Sequence, residues 1–236
     1  MQHIVNEHQI ARGQRVGKIA TLAGLGFLVA GLIVSLFLQA STLLWLSFLF
    51  LLLGLVVSSV GTMNMNRWVR EPRADQALAQ GLKGFDDRYV LYSYYLPAPH
   101  VLLSPTGLYV LTTMGQDGVI RYDGDKFRRD FSAGRLLRFM AEEGMGKPLA
   151  EAGSQVQALQ KALDEHDAGE GVEIQNLLVF YNPRAELVLS DTSQPVVTTK
   201  GLKKAIRKQQ RADQGEPLSN TQYRELRELF DQSVTQ

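Results

Sequence analysis

The sequence predicts an α/β (α+β) protein in two parts: a two-helix transmembrane hairpin, then a domain with a small mixed sheet flanked by helices. Three observations predict it. The 45 residues from Ile19 to Met63 contain no Asp, Glu, Lys, Arg or His. After Gly84 the apolar residues fall into short runs rich in Val, Leu and Tyr, punctuated by Pro and Gly. From Pro148 onward helical and strand patterns alternate, the mark of helices layered on a sheet.

The uncharged block is too long for one crossing. As a single helix it would run about 67 Å, against a hydrocarbon core of about 30 Å. Two spans fit, 19–38 and 43–63, with Gln39-Ala40-Ser41-Thr42 as the polar turn. The first span is longer than a signal-peptide core and lacks a small residue three positions before Ala40, so it reads as an uncleaved anchor. Arg12, Arg15 and Lys18 precede the spans, Arg67, Arg70 and Arg73 follow them, and the turn has no positive charge. The positive-inside rule then places both termini in the cytoplasm. Trp68 and Trp45 fall near opposite interfaces. Small residues four apart, Gly26 with Ala30 and Gly54 with Ser58, are candidates for the helix–helix contact. With no charge inside them, the spans read as an anchor rather than an ion path.

The chain therefore divides into a basic segment 1–18, the hairpin 19–63, a juxtamembrane linker 64–75 and a cytoplasmic domain 76–236. A short helix is expected over Ala74–Lys83, ending at Gly84. Strands follow at Tyr89–Leu96, Val101–Leu103 and Leu108–Thr113, the last two joined by the Pro105-Thr106-Gly107 turn. Val119–Tyr122 and Lys126–Phe131 flank Asp123-Gly124-Asp125 as a hairpin. Helices are expected from Arg135 to about Glu143 and from Leu149 to His166, the second with Leu149, Ala152, Val156, Leu159 and Leu163 on one face. Ile174–Tyr181 reads as a buried strand, with shorter strands at Glu186–Leu189 and Pro195–Thr198. Lys200–Arg211 is a basic helix, and Leu218–Val234 a last helix opened by Ser219 and Gln222 as a capping box.

Composition excludes several chemistries. There is no cysteine, hence no disulfide, thiol nucleophile or cysteine-ligated metal. The net charge of +1 gives no global case for nucleic-acid binding. Ser104 and Thr112 have no His–Asp partners at a recognisable spacing. No glycine-rich phosphate loop is present. Asp86, Asp87, Asp117, Asp123 and Asp125 read as helix-end or turn residues, and His100 as a hydrogen-bonded structural histidine in the cleft of the domain.

The run from Pro99 to Met114, PHVLLSPTGLYVLTTM, resembles the core of the nuclease-related domain family, NERD, which is similar in fold to restriction-endonuclease-like nucleases. Gly118, the helix opening at Pro148 and the strand Leu177–Tyr181 follow in the family's order, so the resemblance covers about Gln76–Arg207. It implies an Asp-His pair, a hydrophobic strand, a Pro-x-Gly turn and a strand ending in Glu-x-Lys. In such a site the Asp and Glu hold a divalent cation, because hard cations take carboxylate oxygens, and the metal activates water against phosphate. The Lys two residues beyond the Glu shares its face of the strand. Here the Asp position is Pro99, the Glu position Thr112 and the Lys position Met114; His100 and Gly107 remain. The family's catalytic residues do not carry over, and no metal or other cofactor is expected. The family's Gln early in the helix after Pro148 corresponds to Glu151 or Gln155.

The remaining signal is basic. Lys200, Lys203, Lys204, Arg207, Lys208 and Arg211 lie in a helix without an acid, and Leu202, Ala205 and Ile206 are left to pack inward. Three readings stand side by side: a solvated face, a contact with anionic lipid, and a contact with a nucleic-acid backbone. No aromatic residue for base stacking accompanies the patch in sequence. The expected function is a non-catalytic binding or scaffold module anchored at the cytoplasmic membrane face. Its partners would be the bilayer and a protein in the membrane. The alternatives are a Mg2+-dependent nuclease using other residues and an accessory subunit of a membrane complex.

Overall fold

The computed structural model describes residues 1–37, 41–124, 126–130, 144–190, 194–212 and 217–235. The helix expected over 135–143 and Gln39, Ala40 and Asp125 of the two expected turns lie outside them. The chain forms two compact units, one centred on Glu7–Arg73 and the other joining Met1–Asn6 to the residues from Ala74 onward.

The first unit is a pair of helices, α1 (Glu7–Phe37) and α2 (Ser41–Trp68). Both are long and apolar enough to cross a membrane. They run past the expected spans at the outer ends, so the basic residues 12–18 are helical too. Their outer faces are apolar, with Trp45 79% and Leu22 70% exposed. The buried positions recur every seven residues: Ile10, Gly17, Gly24 and Gly31 in α1, and Ser47, Gly54, Gly61 and Trp68 in α2. A seven-residue repeat keeps one seam of each helix against its partner. In the middle of the seam, at Gly24, Gly54 and Gly61, the backbones leave no room for a side chain. A Cβ on Gly24 would lie 2.6 Å from the Ser58 backbone nitrogen, and one on Gly61 2.6 Å from that of Thr21. The expected contact at Gly26 is corrected: a Cβ there would meet nothing within 4 Å. Gly54 and Ser58 do lie at the contact, against Leu28 and Gly24. Trp68 closes the seam as the last residue of α2, packed on Gly13, with Arg67 stacked 5.0 Å from its ring.

The second unit is a three-layer sandwich. Its six-stranded sheet has the order β1-β2-β3-β4-β7-β9, with β1 (Gln2–Val5), β2 (Val90–Ser93), β3 (His100–Ser104), β4 (Gly107–Met114), β7 (Ile174–Phe180) and β9 (Val196–Thr198). β2, β3 and β4 are an antiparallel meander; β1 joins β2 in parallel, and β4, β7 and β9 run parallel. The parallel step from β4 to β7 is made through α4 (Pro148–Asp164), as parallel neighbours require a crossover. A small sheet of order β6-β5-β8 stands beside the large one, with β5 (Gly118–Tyr122), β6 (Phe127–Arg129) and β8 (Ala185–Leu189).

Strand alternation sorts the core into two faces. Tyr92, Val101, Leu103 and Val110 face Leu159 and Leu163 of α4 and Leu226 and Phe230 of α6 (Asn220–Thr235). Leu91, Leu102, Leu111 and Leu177 face Leu78 and Leu82 of α3 (Ala74–Gly81) and Leu202 and Ile206 of α5 (Thr199–Ala212). A third cluster, with Met114, Ile120, Phe127 and Phe180, joins the two sheets. The capping box forms as expected: Gln222 N donates to Ser219 Oγ at 3.1 Å, and Ser219 N to Gln222 Oε1 at 3.1 Å.

Strand β1 was not expected. The basic segment expected over 1–18 is split between this strand and the start of α1. The chain thus contributes an edge strand to the sheet domain before it enters the hairpin, and returns to the same domain afterwards.

Candidate functional site

The positions to which the resemblance assigns metal chemistry lie just before β3 and on β4. Val101 pairs with Val110 at the end of the antiparallel ladder, and Pro99 lies two residues before it, outside the strand. Thr112 and Met114 share the β4 face that carries Val110, the face covered by α4. Thr112 and Met114 thus lie on one face of β4, while Pro99 lies in the bend just before β3.

Around Thr112 lies a hydrogen-bond network of a hydroxyl and two amides, with one carboxylate, Glu151, at its edge. Thr112 is fully buried. Its Oγ1 donates to Gln155 Oε1 of α4 at 2.9 Å and accepts from Asn176 Nδ2 of β7 at 3.2 Å. Asn176 Nδ2 also reaches Ala152 O, at 3.3 Å, and Gln155 Nε2 donates to Glu151 Oε1 at 3.2 Å. Of the two residues offered for the family's Gln position, Gln155 makes the contact and Glu151 stands behind it. Met114 packs into the apolar cluster with Phe180. Close by, Gln116 is buried and its Nε2 donates to Gly144 O at 3.2 Å.

This donor set does not fit a divalent cation. Pro99 offers no side-chain ligand, the Thr112 hydroxyl is engaged on both sides, and the thioether of Met114 is a soft ligand within an apolar cluster. Glu151 is the single carboxylate in the network, and it accepts from Gln155. Among the described residues no three or more of His, Asp or Glu gather in a group able to hold a metal.

His100 is elsewhere. It pairs with Ser93 and lies on the opposite face of the sheet, so the expectation that it stands in the cleft is corrected. Adjacent strand residues point to opposite faces, and His100 is adjacent to Val101, the partner of Val110. His100 Nδ1 is 3.2 Å from Ser93 Oγ, which is also 3.2 Å from His3 Nε2 of β1. Tyr94 packs edge-on to the His100 ring at 4.8 Å. His100 is thus a buried, hydrogen-bonded structural residue, and His3 belongs to the sheet rather than to a tail.

The other carboxylates have local partners. Arg88 beside Asp86 donates a hydrogen bond that holds the Asp86 carboxyl below its ordinary range. Asp117 is held by Arg129 and by Arg184, the latter at 3.3 Å. Asp123 accepts from Lys126 N at 3.0 Å and pairs with Arg128 at 3.3 Å. On the α6 side, burial and then Asp231, 2.7 Å away, push the Tyr92 hydroxyl above the usual tyrosine range.

The basic helix α5 buries Leu202 and Ile206 and exposes most of its cations. Lys203 Nζ lies 5.3 Å and Arg207 Cζ 5.5 Å from the Phe85 ring centre, and Lys203 donates to Lys83 O at 3.1 Å. Phe85 in turn stacks on Tyr89, 4.2 Å between centres. An aromatic pair does adjoin the patch, contrary to the sequence reading, but Phe85 is buried. The pair was missed because it lies more than a hundred residues from the helix. Asn176 and Gln116 were also missed; each is a polar residue in an apolar stretch, which is the signal that marks them.

No curated protein and no solved structure matches the chain. The family model described as the nuclease-related domain, NERD, matches residues 67–181, from the end of α2 through β7 and the residue after it. That match spans the network around Thr112, so over this stretch the chain is similar to the nuclease-related domain.

Proposed function

We propose that this chain is a membrane-anchored nuclease-like module that works by binding rather than by cleavage, at the cytoplasmic face of the cell membrane. The observation that carries the reading is the environment of Thr112. Where the family resemblance places a metal-holding carboxylate, a buried hydroxyl is satisfied by two amides, and Met114 fills the lysine position with apolar packing. Such a site stabilises the sandwich and offers water and phosphate no activation.

Anchorage rests on the apolar surface of α1 and α2 and on strand β1. Gln2–Val5 and the residues from Ala74 onward share one sheet, so the two ends of the hairpin return to the same side of any membrane it enters. That requires an even number of crossings, and two helices supply two. The basic flanks of the hairpin favour the cytoplasmic side.

The test uses the full chain, because β1 belongs to the domain and a piece beginning after the hairpin lacks an edge strand. Reconstituted in lipid nanodiscs, the protein is incubated with labelled double- and single-stranded DNA and Mg2+ or Mn2+. The expected result is no cleavage above the EDTA control. EDTA-sensitive cleavage that Thr112→Val leaves unchanged would restore the enzyme reading through other residues.

A further inference from the structure

The six cations of α5 are not equivalent. Lys203 and Arg207 lie over the ring of Phe85, and Lys203 is bonded to the Lys83 carbonyl. Their heads are occupied in covering a buried aromatic residue. Lys200, Lys204, Lys208 and Arg211 follow at intervals of four, four and three, and all four are exposed. At 3.6 residues per turn they fall within an arc of about 80°, opposite the buried Leu202 and Ile206. The stripe is about 16 Å long. Among the described residues none of its four cations takes part in an ion pair, hydrogen bond or ring contact, and the helix contains no acid.

A line of four exposed cations on one helix is complementary to an extended anionic surface. The chain carries the means of staying near one. Only Asn6 separates β1 from α1, and only five residues, Val69–Arg73, separate α2 from α3. Five residues reach about 17 Å at most, so the domain remains close to whatever bilayer holds the hairpin. Tethering of this kind replaces a bimolecular encounter by a high effective concentration. A nucleic acid has no such tether here, and the aromatic pair nearest the stripe has its Phe85 buried beneath Lys203 and Arg207.

We propose that Lys200, Lys204, Lys208 and Arg211 form a docking stripe for anionic phospholipid headgroups of the membrane in which the hairpin sits. The stripe rests on the anchored reading above. Each cation near such a surface strengthens the contact about five-fold, so the stripe biases the domain toward the lipid several-hundred-fold. The domain then lies against the leaflet at low salt and lifts from it as salt screens the contact.

The chain has no cysteine, so Lys204→Cys supplies a single site for a fluorophore in the middle of the stripe. The labelled full chain is reconstituted in nanodiscs of neutral phosphatidylcholine or of phosphatidylcholine with about 30% phosphatidylserine. Quenching by aqueous acrylamide is compared in the two. The proposal expects quenching to fall about three-fold or more in the anionic discs. High salt, and separately Lys200→Gln, Lys208→Gln and Arg211→Gln together, should restore it. Equal quenching in both discs overturns the proposal, as does protection conferred by duplex DNA and not by phosphatidylserine. A chain that does not copurify with discs of either kind contradicts the anchored reading itself, a result distinct from failure of the stripe.

Discussion

The two units of this protein are built inside out from one another. In the helical hairpin the seam is glycine and the outer faces are Leu, Phe, Val and Trp. In the sheet domain the interior is Leu, Val, Tyr and Phe, and of its large hydrophobics among the described residues only Val188 and Leu189 are strongly exposed. The lipid setting proposed for the hairpin accounts for the difference. In water, burying apolar area drives packing, so large side chains go inside. In lipid, apolar area gains nothing by leaving the surface, so helices associate by close backbone approach through small residues. The same substitution should therefore have opposite consequences in the two units.

The largest effect is expected from truncating the domain core. Phe180 is fully buried between the two sheets, 6.1 Å from Phe127 between ring centres. Phe180→Ala should destabilise the domain by about 3–5 kcal/mol, read by denaturant unfolding followed through tyrosine circular dichroism. A loss below 1 kcal/mol would mean that the junction of the sheets collapses freely.

The hairpin should respond to enlargement instead. Gly24→Ala places a Cβ against the Ser58 backbone and should cost about 1–3 kcal/mol. Gly26→Ala meets nothing within 4 Å and should stay within about 0.5 kcal/mol of the parent. Both tryptophans, Trp45 and Trp68, lie in α2, so their emission reports hairpin melting without interference from the domain. Equal effects of the two substitutions would break the seven-residue seam.

At the start of α6, Ser219→Ala removes the cap on Gln222 N and should cost about 1 kcal/mol, measured by the same unfolding. The smallest contribution is pH-dependent. Burial and Asp231 raise the Tyr92 hydroxyl in the folded domain, so the fold keeps a proton that the unfolded chain releases near pH 10. The stability from that phenol is fully present below about pH 10 and is lost as pH rises beyond it. Tyr92→Phe should flatten the alkaline limb of the stability profile; an unchanged limb would assign the loss to other groups.

Where the pattern is local and repeated, the sequence carries the structure. The uncharged block, the β2–β4 meander, the α4 stripe and the Ser219 box are all of this kind. The order from α3 through β7 is legible too, because each element has its own turn or cap. Strand β1 is not: four residues, Gln2–Val5, show no alternation that outweighs their place before a membrane helix, and their partner lies 88 residues on. The glycine seam was hidden because a four-residue spacing is the common small-residue pattern, whereas Gly17, Gly24 and Gly31 repeat at seven. At the candidate site, strand alternation alone separates His100 from Thr112. The amides that satisfy Thr112 come from two elements 43 and 64 residues away, and only the fold brings them there.

On the proposed reading, the position of Thr112 holds no metal. Titrating the full chain in nanodiscs with Mn2+ by calorimetry tests it most directly. No saturable binding is expected in the millimolar range or below. Saturable binding that Glu151→Gln or Thr112→Val abolishes would contradict it, and would return the Thr112–Gln155–Glu151 cluster to metal chemistry.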